Sequence, residues 1–398
     1  MRRDVQPGLL TTLCYAAMMC LAIGINLLPV FLTSIGASFG QGGSLSGEEL
    51  GRLGAVAFAG LVVGIVTTGP LADRYGAKPF VILANILTVL GLSGMAAAQT
   101  FPLLLTTVFV VGLGAGMLDM ILSPVVAALN PERRTAAMNW LHSFYPVGAV
   151  VTILIGTVAL AFDVGWRAVC WLSILLPLGL TLAFLPLRFP ALVTASQERT
   201  SMRELCARPW FLAALAAIFM GGATELGMAQ WLPAYAETSL GFSPTVAGMG
   251  LLLFSIAMAL GRMAIGMLEA SANAYAIMIA GCLLSVVFFL LGAFLENPGW
   301  ALAACVAAGF VGSSLWPTML AVVSDRYPDG GATMFAALAA FGNAGGIFMP
   351  WVIGFVGDVR NLHWGIATSA IAPFLMMPLI LLLVAGRRAQ TKISHGTS

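Results

Sequence analysis

Twelve long apolar stretches occupy almost the whole of this 398-residue chain, in two sets of six around one polar stretch from Arg188 to Pro209. A helix rises about 1.5 Å per residue, so roughly 20 apolar residues cross a hydrocarbon core. The stretches fall at 9–36, 48–70, 79–99, 102–129, 135–161, 167–187, 210–236, 246–268, 273–295, 299–323, 332–357 and 364–386. The fold class predicted is an all-α polytopic membrane protein of twelve transmembrane helices. Residues 1–187 form one six-helix bundle, 188–209 a cytoplasmic linker, and 210–398 a second bundle with a short tail. Hydrophobic residues make up 60% of the chain and charged ones 9%. A water-soluble domain of this size would have to expose large apolar patches, whereas a lipid solvent removes that conflict.

The basic residues give the orientation. With both termini cytoplasmic, only Arg52, Arg167 and Arg360 of the 18 Lys and Arg lie near outer loops. The rest, including Arg2, Arg3, Arg188, Arg199, Arg203, Arg208, Arg387 and Arg388, face the cytoplasm, as the positive-inside rule requires. The first apolar run is far longer than a signal-peptide core and reads as an uncleaved helix. The basic residues are scattered without a patch, which argues against a nucleic-acid partner. The six cysteines sit in spans or linker, none placed for an extracellular disulfide or at metal-ligand spacing. No metal, cofactor or catalytic motif is found, and no enzyme is expected.

The two halves resemble one another at corresponding places. Asn26-Leu27-Leu28-Pro29 in the first span is matched by Gln230-Trp231-Leu232-Pro233 in the seventh. Gly112 to Pro131 around the fourth span resembles Gly309 to Pro328 around the tenth, which sets Asp119 opposite Trp316. A duplicated six-helix unit of this kind is a feature of secondary transporters. The loop after the second span reads Gly69-Pro70-Leu71-Ala72-Asp73-Arg74-Tyr75-Gly76-Ala77-Lys78-Pro79. Its glycines suit a tight turn that presents Asp73 to a helix terminus and to cationic side chains, with Arg133 or Arg134 the natural partner. This loop resembles the signature of the major facilitator superfamily between helices 2 and 3. The family usually has a basic residue where Ala77 stands, and Asp325-Arg326 resembles a reduced second copy.

Of the 16 Asp and Glu, only Asp119 and Glu225 fall well inside a span. A charge at the bilayer centre costs about 2.5–3.5 kcal/mol on insertion scales, so each must be compensated or protonated. A carboxylate that takes a proton from one side and gives it to the other is what proton coupling needs, and Asp119 is the first choice. His142 shares a helix face with Asn139, Tyr145 and Pro146, a polar stripe that could line a cavity. Asn26, Gln230, Trp231, Tyr235, Trp316 and Asn343 add amides and aromatic rings, a mixture that binds sugars by pairing hydroxyls and stacking on the ring. Trp231 and Tyr235 also fit an interfacial aromatic belt, Tyr235 better than Trp231.

Gly112-Leu113-Gly114 with Asp119 and Pro124, then Asn139, His142 and Gly148-Ala149, then Glu225 with Trp231 and Tyr235, are similar to the fucose:galactose:proton symporter group of that superfamily. The group has an acidic residue where Ile25 stands and Asn where Ser123 stands. The resemblance implies proton-coupled symport of a neutral, hexose-like sugar by alternating access. The expected contacts are Asn26, Asn139, His142, Tyr145, Glu225, Gln230, Trp231, Trp316 and Asn343, with protons on Asp119 and Glu225. Gly69, Asp73, Arg74, Gly76, Lys78, Arg133 and Arg134 would form the gate. A proton antiporter of hydrophobic compounds is the rival; the fifth span lacks the paired-glycine Gly-Pro such proteins carry. An anion porter would want a cavity arginine, and the one candidate, Arg262, is expected near the cytoplasmic end of its span. The partners expected are a small-molecule substrate, a coupling proton or sodium ion, and lipid. The chain is expected to be a monomer in a bacterial inner membrane.

Overall fold

Hydrocarbon offers a backbone no water to bond, so each apolar stretch satisfies its own N–H and C=O groups by coiling. The computed structural model describes residues 7–40, 43–190, 202–268, 273–327 and 330–396. Among the described residues there is no strand. Twelve helical segments are long and apolar enough to cross a membrane: Pro7–Val30, Gly47–Ala72, Ala77–Ala97, Phe101–Leu129, Trp140–Ala161, Trp166–Phe184, Pro209–Thr238, Pro244–Ile265, Ala274–Phe294, Pro298–Arg326, Met334–Val359 and Leu362–Gly386. They are numbered below as spans 1 to 12. Large apolar side chains such as Leu90, Leu182, Phe374, Leu381 and Leu382 stand more than half exposed on the outside of the bundle, where lipid would meet them.

Local chemistry sets the helix ends. Ser46 caps span 2 with a full capping box: its hydroxyl accepts from the Glu49 N–H at 3.2 Å, and Glu49 Oε2 accepts from the Ser46 N–H at 2.9 Å. The same helix runs on to Tyr75 and stops at Gly76, whose φ of 80° lies in the left-handed region that glycine alone adopts without strain. One residue thus turns the chain from span 2 into span 3. The first span departs from the expected 9–36: it ends at Val30, and a separate helix, Leu32–Phe39, follows. Pro29 lies one residue before that end, and the Ile25 carbonyl four residues before it has no N–H to accept from within the helix.

The duplication is visible in the packing. A Cβ on Gly112 of span 4 would collide with the Ala57 carbonyl oxygen of span 2, and one on Gly64 with that of Leu113. In the second half Gly309 of span 10 lies against the Phe254 ring and carbonyl of span 8, and Gly261 against the Phe310 carbonyl. The paired contacts share one offset along the chain, so spans 2 and 4 repeat as spans 8 and 10, backbone against backbone.

Between the halves, contact concentrates at the end of the bundle opposite the termini. Asp358 at the end of span 11 accepts from the Gly47 and Glu48 N–H groups at 2.6 Å each, capping the N-terminus of span 2 from the other half. Glu48 Oε1 accepts from the Trp351 indole at 2.7 Å, and Thr33 donates to Glu237 at 2.7 Å. Gln230 of span 7 donates to the Ile25 carbonyl at 3.3 Å, the acceptor that Pro29 leaves open. These contacts form a seal.

Candidate functional site

Beyond the seal the halves part around a cavity of about 920 Å³. Each interfacial helix passes from one to the other. Span 2 goes from Gly47 and Gly51 at the seal to Phe58 and Leu61 in the cavity wall, and span 11 from Asp358 and Pro350 back to Asn343. Span 8 touches Thr157 through Gly248, then lines the cavity with Ser255, Met258 and Arg262. The cavity therefore lies toward the end of the bundle that carries both termini.

Asp119, His142, Tyr145, Glu225, Trp316 and Asn343, all expected from the sequence, line this one space. Asp119 and Trp316, the pair set opposite one another by the internal repeat, share it. Asn26 stands behind the wall, its side chain bonded to the Tyr145 hydroxyl while its amide nitrogen donates to the Ala22 carbonyl at 2.9 Å. His142 Nε2 lies 3.3 Å from the Ser123 hydroxyl and so joins span 5 to span 4. Asn343 donates to the Ala339 carbonyl at 3.0 Å. Asp119 makes no side-chain hydrogen bond or ion pair with another described residue.

Three expectations are corrected. Gln230 and Trp231 do not reach the cavity. Both are buried in the seal, Trp231 donating its indole N–H to the Pro350 carbonyl at 2.8 Å. Tyr235 is fully buried rather than in an aromatic belt; its hydroxyl donates to the Gly292 carbonyl at 2.8 Å beside His363. The third correction bears most on function: Arg262 does lie near the end of its span expected to face the cytoplasm, yet it lines the cavity. Its Nη2 donates to both oxygens of Glu225 at 2.8 Å, and its Nε donates to the Ser313 carbonyl at 3.1 Å. That carbonyl is free for two reasons. Span 10 breaks between Gly312 and Leu315, and Pro317, four residues on, has no N–H to give it. The broken helix and its proline hold the guanidinium in place.

The signature loop is only partly described. Lys78 donates to the Leu185 carbonyl at 2.7 Å, tying span 3 to the end of span 6, and the Arg74 guanidinium lies 5.2 Å from the Tyr75 ring centre. The expected latch of Asp73 with Arg133 or Arg134, and the expected contact of Asn139, concern side chains outside the described residues. Sequence reasoning missed Arg262 and the apolar wall of Phe58, Leu61, Met258 and Met263. The signal was present: Ser255, Met258 and Arg262 recur at helical spacing on one face of span 8.

Comparison with known proteins agrees with this architecture. The sequence profile of the Major Facilitator Superfamily matches residues 14–350 and 232–397. A Bacillus subtilis protein described as a niacin/nicotinamide transporter is 26% identical over 360 residues, covering 87% of this chain and 88% of its own. The cis,cis-muconate transport protein of Acinetobacter baylyi is 25% identical over 369 residues, 88% of each chain. Among solved structures, the fucose:proton symporter of E. coli superposes with a TM-score of 0.64 at 18% identity, over 94% of this chain and 98% of that one. With a family profile spanning nearly the whole sequence and twelve spans folded as two repeated bundles around a shared cavity, this chain belongs to the Major Facilitator Superfamily.

Proposed function

We propose that this transporter carries a small organic carboxylate together with protons, by alternating access of the site that holds Arg262. The observation that carries the reading is that arginine, fixed in the wall of the central cavity. A guanidinium is the side chain best matched to a carboxylate, and in a largely apolar cavity such a charge-assisted contact is stronger than in water. The rest of the wall suits an unsaturated or aromatic body: Phe58, Leu61, Leu226, Met258 and Trp316 belong to it, and its apolar residues outnumber the hydroxyl-pairing ones. Niacin and muconate, two of the compounds named for these relatives, are small, planar and carboxylated, while nicotinamide, named beside niacin, is its neutral amide.

The expectation of a sugar rested on a cavity poor in arginine, and Arg262 removes that premise. A neutral sugar remains a second reading, favoured by Asp119, Trp316 and Asn343 in one wall and by the likeness in fold to a fucose symporter. With both termini in the cytoplasm, the sealed end faces outward and the cavity opens inward. The orientation has its own check. A cysteine at Gly40 should label from outside intact cells and one at Glu204 should not; the opposite pattern would invert the topology.

The substrate is tested by thermal denaturation of the purified protein with nicotinate, cis,cis-muconate, L-fucose, D-xylose and tetraphenylphosphonium. A ligand at a hundred times its dissociation constant stabilises by about 2.7 kcal/mol. A carboxylate is expected to raise the melting temperature and the sugars are not. Stabilisation by a sugar alone would establish the second reading, and by the lipophilic cation alone the exporter.

A further inference from the structure

The contacts of Arg262 carry a step beyond the substrate class. We infer that Glu225 is a proton-released guard on Arg262: the substrate carboxylate and the Glu225 carboxylate compete for the same guanidinium, so each carboxylate enters with one proton. The inference rests on the carboxylate reading above.

Three observations support it. Glu225 engages Arg262 with both oxygens through a single nitrogen, so an ionised Glu225 occupies the anion position facing the cavity. The side chain of Arg262 is 35% exposed there and that of Glu225 10%, so an incoming anion meets the arginine rather than the glutamate. Arg262 also has an anchor independent of Glu225: its Nε bond to the Ser313 carbonyl at the break of span 10. Releasing Glu225 therefore leaves the guanidinium aimed at the same place.

The charges enforce the competition. The pair is neutral, and an added substrate carboxylate would leave two anions on one cation, with Asp119 in the same cavity wall. The other ionisable groups at the site are His142 and Tyr145 of span 5, and Tyr145 stands close enough to feel Asp119, Glu225 and Arg262. Among the described residues, spans 1, 10, 11 and 12 place no charged side chain in the cavity wall. A proton on Glu225 restores neutrality: Glu225 becomes a carboxylic acid, the substrate carboxylate takes its place on Arg262, and release reverses both steps. No covalent bond other than that O–H forms or breaks. For a monocarboxylate the exchange at this pair is electroneutral.

The test uses the full chain in nanodiscs, with nicotinate and cis,cis-muconate as probes from pH 5.5 to 8.5. Where Glu225 is ionised, the wild-type dissociation constant is expected to rise about tenfold per pH unit, the signature of one linked proton. Binding in weakly buffered solution should take up about one proton per molecule bound, for the dicarboxylate muconate as for nicotinate. Glu225→Gln, which keeps size and an oxygen acceptor, should bind with little dependence on pH and no proton uptake. Asp119→Asn should keep the uptake. Absence of proton uptake in the wild type overturns the guard without any variant. Uptake retained in Glu225→Gln but lost in Asp119→Asn overturns it by placing the proton on Asp119. Binding of L-fucose or D-xylose with no carboxylate bound at any pH overturns the carboxylate reading and the guard with it, a different result from the other two.

Discussion

Gly51→Leu is expected to abolish net transport and hold the halves apart at the sealed end, while the protein still folds. A Cβ at this position would stand 2.6 Å from the Pro350 carbonyl oxygen and 2.9 Å from the Trp351 Cα, both in the other half of the molecule. Neither atom can retreat, since Pro350 is held by the Trp231 indole and Trp351 by Glu48. In the alternating-access cycle proposed above, spans 2 and 11 approach this closely only with the seal shut, so the added side chain would penalise that state and spare the other. Overpacking of rigid contacts costs about 1–3 kcal/mol for a methylene or two. A leucine against backbone lies at or above the upper figure, and roughly 3 kcal/mol moves a two-state equilibrium by more than a hundredfold. Spin labels at Ser46 and Arg360 should report a longer distance than in the wild type, with a melting temperature close to it. An unchanged distance together with normal uptake would show that the halves do not close here. Asp358→Ala removes two charge-assisted bonds from the same seal and should shift the distance in the same direction, by less.

How much of this was legible before the structure differs between fold and site. Twelve spans were readable because crossing lipid demands a length and an apolarity that no other environment does. The signature loop was readable because Gly76 must take a positive φ between two helices that meet almost end to end. Asp119 and Glu225 were readable as cavity residues because lipid tolerates a carboxylate almost nowhere else. Gln230 and Trp231 lie outside the cavity because polar atoms inside a membrane protein have a second use, bonding backbone carbonyls of neighbouring helices. Gln230 bonds the carbonyl that Pro29 strands, and Trp231 ties span 7 to span 11 through the Pro350 carbonyl. Counting residues placed Arg262 correctly near the end of its span, but the step from there to a place outside the cavity ignored how far a long side chain reaches. Its position depends on Pro317 and the break in span 10, more than fifty residues away in sequence, a relation that helical periodicity does not contain.

Arg262→Met is expected to be among the most damaging single substitutions inside the bundle, and the nature of the damage separates stability from recognition. Removing one partner of a buried ion pair typically costs about 3–5 kcal/mol because the other charge is left without compensation. Arg262 is a third exposed to the cavity, so water takes up part of the loss and the lower end of that range applies. The deficit should shrink as the pH falls, since a protonated Glu225 needs no cation. The double variant Arg262→Met, Glu225→Leu replaces the pair with apolar groups of similar size, an exchange that is often neutral or stabilising. Its melting temperature should return to near the wild-type value, so that a double-mutant cycle gives a large coupling between the two sites. Carboxylate binding should not return with it. A stable double variant that fails to bind nicotinate or muconate would assign Arg262 to recognition; one that binds them as the wild type does would confine the arginine to holding spans 7, 8 and 10 together.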